Sequence, residues 1–181
     1  MKTNQAIFAY ASFPGLVLGA VCISYELLNL LCGGITRPLL AGTVGVLLWL
    51  LKTGGCLYLL FFFLRRYAET GEGGGFQPVY RCGLAISFLS ALVYSGFYFA
   101  YTMYIVPDLF DKALDLFIST YSSALSADSL DTLENIRPDL PLISFVSKLI
   151  YCFVFGAVLS AVYARRIAVR NPFNEPTSDE Q

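Results

Sequence analysis

Four long apolar runs divide the chain into segments of membrane-spanning length. They cover residues 6–31, 39–64, 80–106 and 140–164. A helix needs about 20 residues to cross a bilayer core, and each run is longer than that. Because backbone groups in lipid must be satisfied within the segment, such runs favour α-helices. The pattern predicts an all-α polytopic membrane protein, a four-transmembrane-helix bundle forming a single domain over residues 1–170.

The connection between the third and fourth runs, residues 107–138, has a different pattern. Its apolar residues recur at helical spacing, as at Leu114 and Phe117, and acidic residues lie between them. This periodicity is typical of an amphipathic helix. A second short helix is expected to begin after Asp128 or Ser129, which are capping residue types. We expect an extracytoplasmic amphipathic helical cap between helices 3 and 4.

Composition supports a membrane location and excludes several classes of function. Of the 181 residues, 56% are hydrophobic and 14% are charged, well below the roughly 25% charge of a soluble domain. A net charge of −1 provides no basic face for nucleic acid. The sequence lacks histidine, and its five cysteines are isolated, so we expect no metal and no cofactor. The polar, proline-containing tail, 171–181, is expected to be disordered.

Lysine and arginine near the ends of the spans predict the orientation. One side of the predicted bundle carries Lys2, Arg65, Arg66, Arg81, Arg165, Arg166 and Arg170, and the other carries Arg37, Lys112 and Arg137. Cytoplasmic loops carry the excess of basic residues. Both termini are therefore expected to be cytoplasmic.

Small residues recur every three or four positions within three of the spans. The pairs are Gly15 and Gly19 in the first span, Gly42 and Gly45 in the second, and Gly156 and Ser160 in the fourth. Small residues let neighbouring helix backbones approach closely. We expect all six positions to lie at helix–helix contacts.

Three charged residues fall inside the spans: Glu26, Lys52 and Lys148. From the helical rise, Glu26 and Lys148 lie roughly 8 and 12 Å below the outer ends of their helices, which predicts a structural ion pair. Lys52 lies about 20 Å from the outer end of its helix, near the midplane and well below Glu26. It is either a hydrogen-bonded packing lysine, a contact for an anionic ligand or a partner's carboxylate, or part of a proton-transfer path.

A stripe of tyrosines in the third span is the predicted neighbour of this lysine. Tyr94, Tyr98 and Tyr101 recur at intervals of three and four residues and therefore share one helix face. Together with Lys52 they form the candidate ligand- or partner-binding set.

Several sequence features resemble one family. They are the glycine-rich loop leading into Phe76, the entry to the third span at Tyr80–Gly83, and "YIVPDLF" at Tyr104–Phe110. The chain resembles the domain-of-unknown-function 4199 family of small four-span bacterial inner-membrane proteins. That family has no established activity, so the resemblance implies topology and a bacterial inner-membrane location rather than chemistry.

Two functions remain open from the sequence. The favoured one is a non-enzymatic accessory or scaffolding subunit that contacts the bilayer and another membrane protein, such as a lipid-carrier glycosyltransferase, or a second copy of itself. The alternative is an oligomeric small transporter or lipid translocase that binds an anionic ligand near Lys52. Catalysis by surface carboxylates such as Asp108 and Asp111 is least favoured, because no supporting group accompanies them.

Overall fold

Six α-helices account for most of the described chain. A computed structural model describes residues 2–32, 38–70, 75–121 and 126–170, with side-chain surroundings over 6–28, 43–70, 75–121, 126 and 128–167. The helices are α1 (Lys2–Cys32), α2 (Pro38–Glu69), α3 (Phe76–Ala100), α4 (Leu109–Tyr121), α5 (Ala127–Ile136) and α6 (Leu140–Arg170). The predicted all-α class with four membrane-length helices is confirmed. The tail, 171–181, and the surroundings of Gly42 lie outside the described residues.

Four helical stretches are long and apolar enough to cross a membrane. They are Ala6–Leu28, Thr43–Glu69, Phe76–Ile105 and Asp128–Ile167. The last covers 40 residues because α5, a 3₁₀ turn at Arg137–Asp139 and α6 follow one another without a break. Each of the four overlaps most of one apolar run that the sequence pattern predicts.

Helix α3 lies between α1 and α6, and α2 packs over the layer that these three helices form. Neighbouring contacts show that α1 and α3 are parallel, because Gly15 lies against Leu89 and Gly19 against Val93. Helices α3 and α6 are antiparallel, since Gly83 faces Ser160 and the later Ser87 faces the earlier Gly156. The first helix therefore begins, and α6 ends, at the same end of the bundle.

Small residues let α3 approach both of its neighbours closely. A Cβ at Gly83 would lie 2.5 Å from Ser160 Cβ, and one at Gly156 would lie 2.5 Å from Ser87 Oγ. The two serine hydroxyls donate to carbonyl oxygens one turn earlier in their own helices, Ser87 to Gly83 at 2.8 Å and Ser160 to Gly156 at 2.7 Å. Each helix thus packs a serine against the glycine of the other helix, and the hydroxyl of that serine is hydrogen-bonded within its own helix.

Gly15 and Gly19 make the corresponding close contact between α1 and α3. A Cβ at either position would lie 2.7 Å from a side-chain atom of α3, at Leu89 and Val93 respectively. Gly45 was expected at a helix–helix contact, but a Cβ there would meet nothing within 4 Å. Residues 43–59 of α2 are all partly or fully exposed, so α2 packs loosely here, and among the described residues Gly45 makes no close helix contact.

The tightest packing lies at the end of the bundle where α1 begins. Buried apolar side chains from all four long helices meet there, among them Ile7, Leu64, Val79, Ile86 and Ala164. The Tyr10 hydroxyl also donates to the Phe63 carbonyl oxygen at 3.0 Å, which links α1 to α2. Towards the other end, none of residues 43–59 of α2 is fully buried, and a cavity lies beneath this part of the helix.

The segment between α3 and α6 begins with a change of helical geometry. Residues Tyr101–Ile105 form a π-helical turn, and the following Pro107 cannot donate a backbone hydrogen bond. Helix α5 begins at Ala127, and its cap is Ser126, whose hydroxyl accepts from the Ser129 amide at 3.3 Å. The cap therefore lies two or three residues earlier than predicted. The extracytoplasmic, amphipathic character of this segment stays a prediction.

A cluster around Arg137 joins α4 to α5 and the turn before α6. Its guanidinium contacts Asp111 at 3.2 Å and Asp115 at 2.8 Å on α4, and Glu134 at 3.2 Å on α5. The arginine side chain is 27% exposed, whereas each carboxylate is more than half exposed. One partly covered arginine thus connects carboxylates on two helices.

Candidate functional site

All four long helices line a cavity of about 350 Å³ beneath α2. The lining is largely apolar and includes a small number of polar or reactive groups, which is the usual character of a small-molecule site. The lining includes Leu18, Cys22, Lys52, Cys56, Leu57, Leu60, Ser87, Ser90, Tyr94, Cys152, Phe155 and Leu159.

Lys52 brings a positive charge into this cavity. Its Nζ lies 4.5 Å from the centroid of the Tyr25 ring and 5.2 Å from that of Tyr94. Both distances are within the range in which an ammonium group is attracted to an aromatic face. Within the described parts of the chain, no carboxylate forms an ion pair with Lys52. The lysine is held by ring faces and not by a counter-ion.

Glu26 and Lys148 meet through a tyrosine and not directly. The Tyr94 hydroxyl donates a hydrogen bond to Glu26 Oε1, and Lys148 Nζ donates one to the Tyr94 hydroxyl at 3.4 Å. No direct ion pair joins Glu26 to Lys148 among the described residues. The prediction of direct contact was therefore wrong in this detail, because the phenol from α3 occupies the space between α1 and α6.

Lys148 is also held by an aromatic face. Its Nζ lies 3.9 Å from the centroid of the Tyr98 ring and 5.4 Å from that of Tyr94. Tyr94 therefore contacts both intramembrane lysines and the carboxylate. It is the central residue of the cluster, which consists of Tyr25, Glu26, Lys52, Tyr94, Tyr98 and Lys148.

The cluster carries two lysines against one glutamate. A charge at the centre of a membrane costs about 2.5–3.5 kcal/mol on insertion scales, so unmatched charge there needs compensation. Cation–π contacts provide part of it, typically about 2 kcal/mol when the contact is desolvated. The arrangement favours a further negative group near Lys52.

The predicted tyrosines separate into three environments. Tyr94 lines the cavity, and Tyr98 lies against Lys148. Tyr101 is buried in the π-helical turn, with its ring 6.2 Å from that of Phe97 and 6.4 Å from that of Tyr98. It is not among the described residues that line the cavity.

The binding set predicted from the sequence did not include Tyr25 or the cysteines at this site. Tyr25 lies three residues after Cys22, which itself faces Cys56 with the two Sγ atoms 3.9 Å apart. The heptad-like spacing of Leu18, Cys22 and Tyr25 places them on one face of α1 and is a signal that was available. Within the described chain, no group of three or more metal-ligating residues is arranged to hold a metal ion.

Four membrane-length helices around a largely apolar cavity that contains a lysine define a multi-pass α-helical membrane protein. The chain belongs to the family described as "Protein of unknown function (DUF4199)", whose model matches residues 14–165. This match confirms the resemblance seen in the sequence. Neither a curated protein nor a solved structure matches the chain.

Proposed function

We propose that this protein is a non-enzymatic membrane protein that binds an anionic amphiphile in the cavity beneath α2, with Lys52 as its main charge contact. The observation that carries the proposal is the position of Lys52. Its ammonium group borders a cavity of about 350 Å³ and contacts ring faces in place of a carboxylate. A carboxylate or phosphate from a ligand would supply the missing negative charge.

The walls of the cavity support an amphiphile over a small inorganic anion. Leu57, Leu60 and Leu159 lie on the part of the cavity nearest the tightly packed end of the bundle. An apolar chain placed there removes hydrocarbon surface from contact with water or empty space. The same ligand would direct its charged end towards Lys52.

Native mass spectrometry of the purified protein tests this proposal. Wild-type protein should retain an anionic amphiphile from the membrane, and Lys52→Met should lose it. Lys112→Met removes the same charge from α4, where the side chain of Lys112 is 76% exposed, and should retain the ligand. Equal retention by all three proteins would exclude Lys52 as the contact.

One biological use of such a site is transport or translocation of the bound amphiphile by an oligomer of this protein. Flux of an anionic amphiphile in reconstituted vesicles should then fall with Lys52→Met and not with Lys112→Met. Binding of the amphiphile without flux would indicate a lipid-binding protein and would exclude the transporter function.

The second candidate function is an accessory or scaffolding subunit. Helix α2 has an outward stripe of large apolar residues, with Leu47 61%, Leu51 73% and Tyr58 67% exposed. Gly54 lies within this stripe, and a Cβ there would meet nothing within 4 Å. Small residues often mark the places where another helix approaches, so this stripe fits a partner helix or a second copy.

Crosslinking in native membranes separates the two candidates. If α2 binds a partner, Gly54→Phe should abolish the crosslinked species while the ligand at Lys52 is retained. Unchanged crosslinking in Gly54→Phe would contradict the accessory role of this stripe.

We further propose a bacterial inner-membrane location with cytoplasmic termini. The support is the basic end of the bundle, where α1 begins and α6 ends, which carries Arg65, Arg66, Arg165 and Arg166. A reporter that is active only in the cytoplasm should be active when it is fused to either terminus. Activity of a periplasm-dependent reporter at either terminus would reverse the orientation.

A further inference from the structure

A second recess lies between α2 and α6 at the basic end of the bundle. It has a volume of about 630 Å³ and is formed by Phe61, Arg65, Ala68, Tyr163, Arg166 and Ile167, with Glu69 at its edge. The two helices approach each other below it, where the Phe61 and Tyr163 rings meet edge to face with centroids 5.4 Å apart. The recess is therefore apolar at its base and charged at its rim.

The rim carries an excess of positive charge. Arg65 donates through Nε to Glu69 Oε1 at 3.2 Å, which engages one edge of its guanidinium. Arg166 has no carboxylate partner within the described chain. Two arginines against one glutamate leave a net charge of about +1 at the rim.

The position of the recess places it at the boundary between membrane and water. Charged residues follow the apolar run in each wall, Arg65, Arg66 and Glu69 in α2 and Arg165 and Arg166 in α6. Lipid phosphates lie at this level of a bilayer, just outside the hydrocarbon core. Arginine suits such a group, because its planar fork of N–H donors matches two phosphate oxygens.

We propose that this recess binds the phosphate of a membrane lipid headgroup between Arg65 and Arg166, with the lipid's chains entering the cleft between α2 and α6. Phe61, one turn deeper in α2 than Arg65, lies on the side of the recess that the chains would enter. This site is separate from the one at Lys52. Lys52 and Arg65 lie 13 positions apart on α2, about 20 Å at the helical rise, too far for one phosphate to contact both.

Ligand-induced stabilisation in a neutral detergent tests the site, because a ligand that binds the folded state raises Tm. The probes are short-chain phosphatidylglycerol, short-chain phosphatidylcholine and inorganic phosphate at equal concentrations. Phosphatidylglycerol should raise Tm more than the zwitterionic phosphatidylcholine, and inorganic phosphate should raise it least. An equal rise with inorganic phosphate would assign the recess to a soluble phosphate and overturn the lipid proposal.

The chain contains a matched control for the two arginines. Arg66 and Arg165 are neighbours of the recess residues, are exposed, and do not line the recess. The double variant Arg65→Gln/Arg166→Gln should bind phosphatidylglycerol at least about tenfold more weakly, as expected when charge-assisted hydrogen bonds are lost. The double variant Arg66→Gln/Arg165→Gln has the same composition and net charge and should bind normally. Equal weakening in both would show general attraction to the basic end and would overturn the site.

A third variant is expected to strengthen binding of phosphatidylglycerol, an effect that misfolding cannot produce. Glu69→Gln removes the carboxylate that engages Arg65, so phosphatidylglycerol should bind more tightly than to wild type. Unchanged or weaker binding would contradict the proposal. Repeating these comparisons in the Lys52→Met background removes any contribution from the site at Lys52. The difference between the two arginine double variants should persist there, so the recess and the site at Lys52 can fail independently.

Discussion

The Tyr94 hydroxyl donates a hydrogen bond to the Glu26 carboxylate inside the membrane-spanning part of the bundle. This bond joins α3 to α1, and the same hydroxyl accepts from Lys148 on α6. One phenol therefore connects three helices and lies next to the cavity that holds Lys52.

Tyr94→Phe should lower the free energy of unfolding by about 1–3 kcal/mol, the usual cost of leaving a buried polar partner unsatisfied. Reversible denaturation in mixed micelles measures this change. Tyr58→Phe removes a hydroxyl from a residue that is 67% exposed on α2 and should change stability by less than about 0.5 kcal/mol. Similar losses in the two variants would contradict a bridging role for Tyr94.

Gly156→Ala should destabilise the contact between α3 and α6. The new Cβ would lie 2.5 Å from Ser87 Oγ and 2.6 Å from Ser87 Cβ, and overpacking of this kind costs about 1–3 kcal/mol. Gly45→Ala is the matched substitution at an open site, where alanine should be neutral or favourable by about 0.5–1 kcal/mol. The same denaturation measurement tests both, and destabilisation by Gly45→Ala would show that α2 packs more closely than described.

Cys22 and Cys56 should form an intramolecular disulfide when a membrane-permeable oxidation catalyst such as copper phenanthroline is added. Their Sγ atoms are 3.9 Å apart, so a small movement of α2 brings them to the about 2.05 Å of a disulfide bond. Peptide mass spectrometry after alkylation should find these two thiols protected. Cys82, buried in α3, is the control and should stay unoxidised; a disulfide that joins Cys82 to another cysteine would contradict the packing of α3.

Arg137→Gln should release α4 from α5. The substitution removes contacts with Asp111 and Asp115 on α4 and leaves three carboxylates close together. Hydrogen exchange of the α4 amides should then become faster, while the four long helices keep their protection. Lys112→Gln removes an exposed contact within α4 itself, with Asp108 at 3.7 Å, and should have a much smaller effect. Equal exchange in wild type and Arg137→Gln would show that α4 is held by its apolar contacts, such as buried Leu114.

The candidate site could be predicted in part, and the limits have physical causes. The charges Glu26, Lys52 and Lys148 stand out in apolar runs because each is costly there. Depth along separate helices placed Glu26 near Lys148, yet it could not show that Tyr94 lies between them. That detail depends on the rotation of α3 about its own axis, which the depth of a residue does not specify.

The apolar pattern by itself determined that four long helices form and approximately where each lies, because helix formation in lipid depends on the length and hydropathy of one segment. Tertiary structure alone decided which faces meet. It placed Gly83 against Ser160 and left Gly45 without a close neighbour among the described residues. It also opened a cavity and a recess along α2. The reason is that the distance between two helices and their rotation about their axes depend on side chains from several helices at once. The periodicity of one segment does not specify which residues of the other helices it contacts.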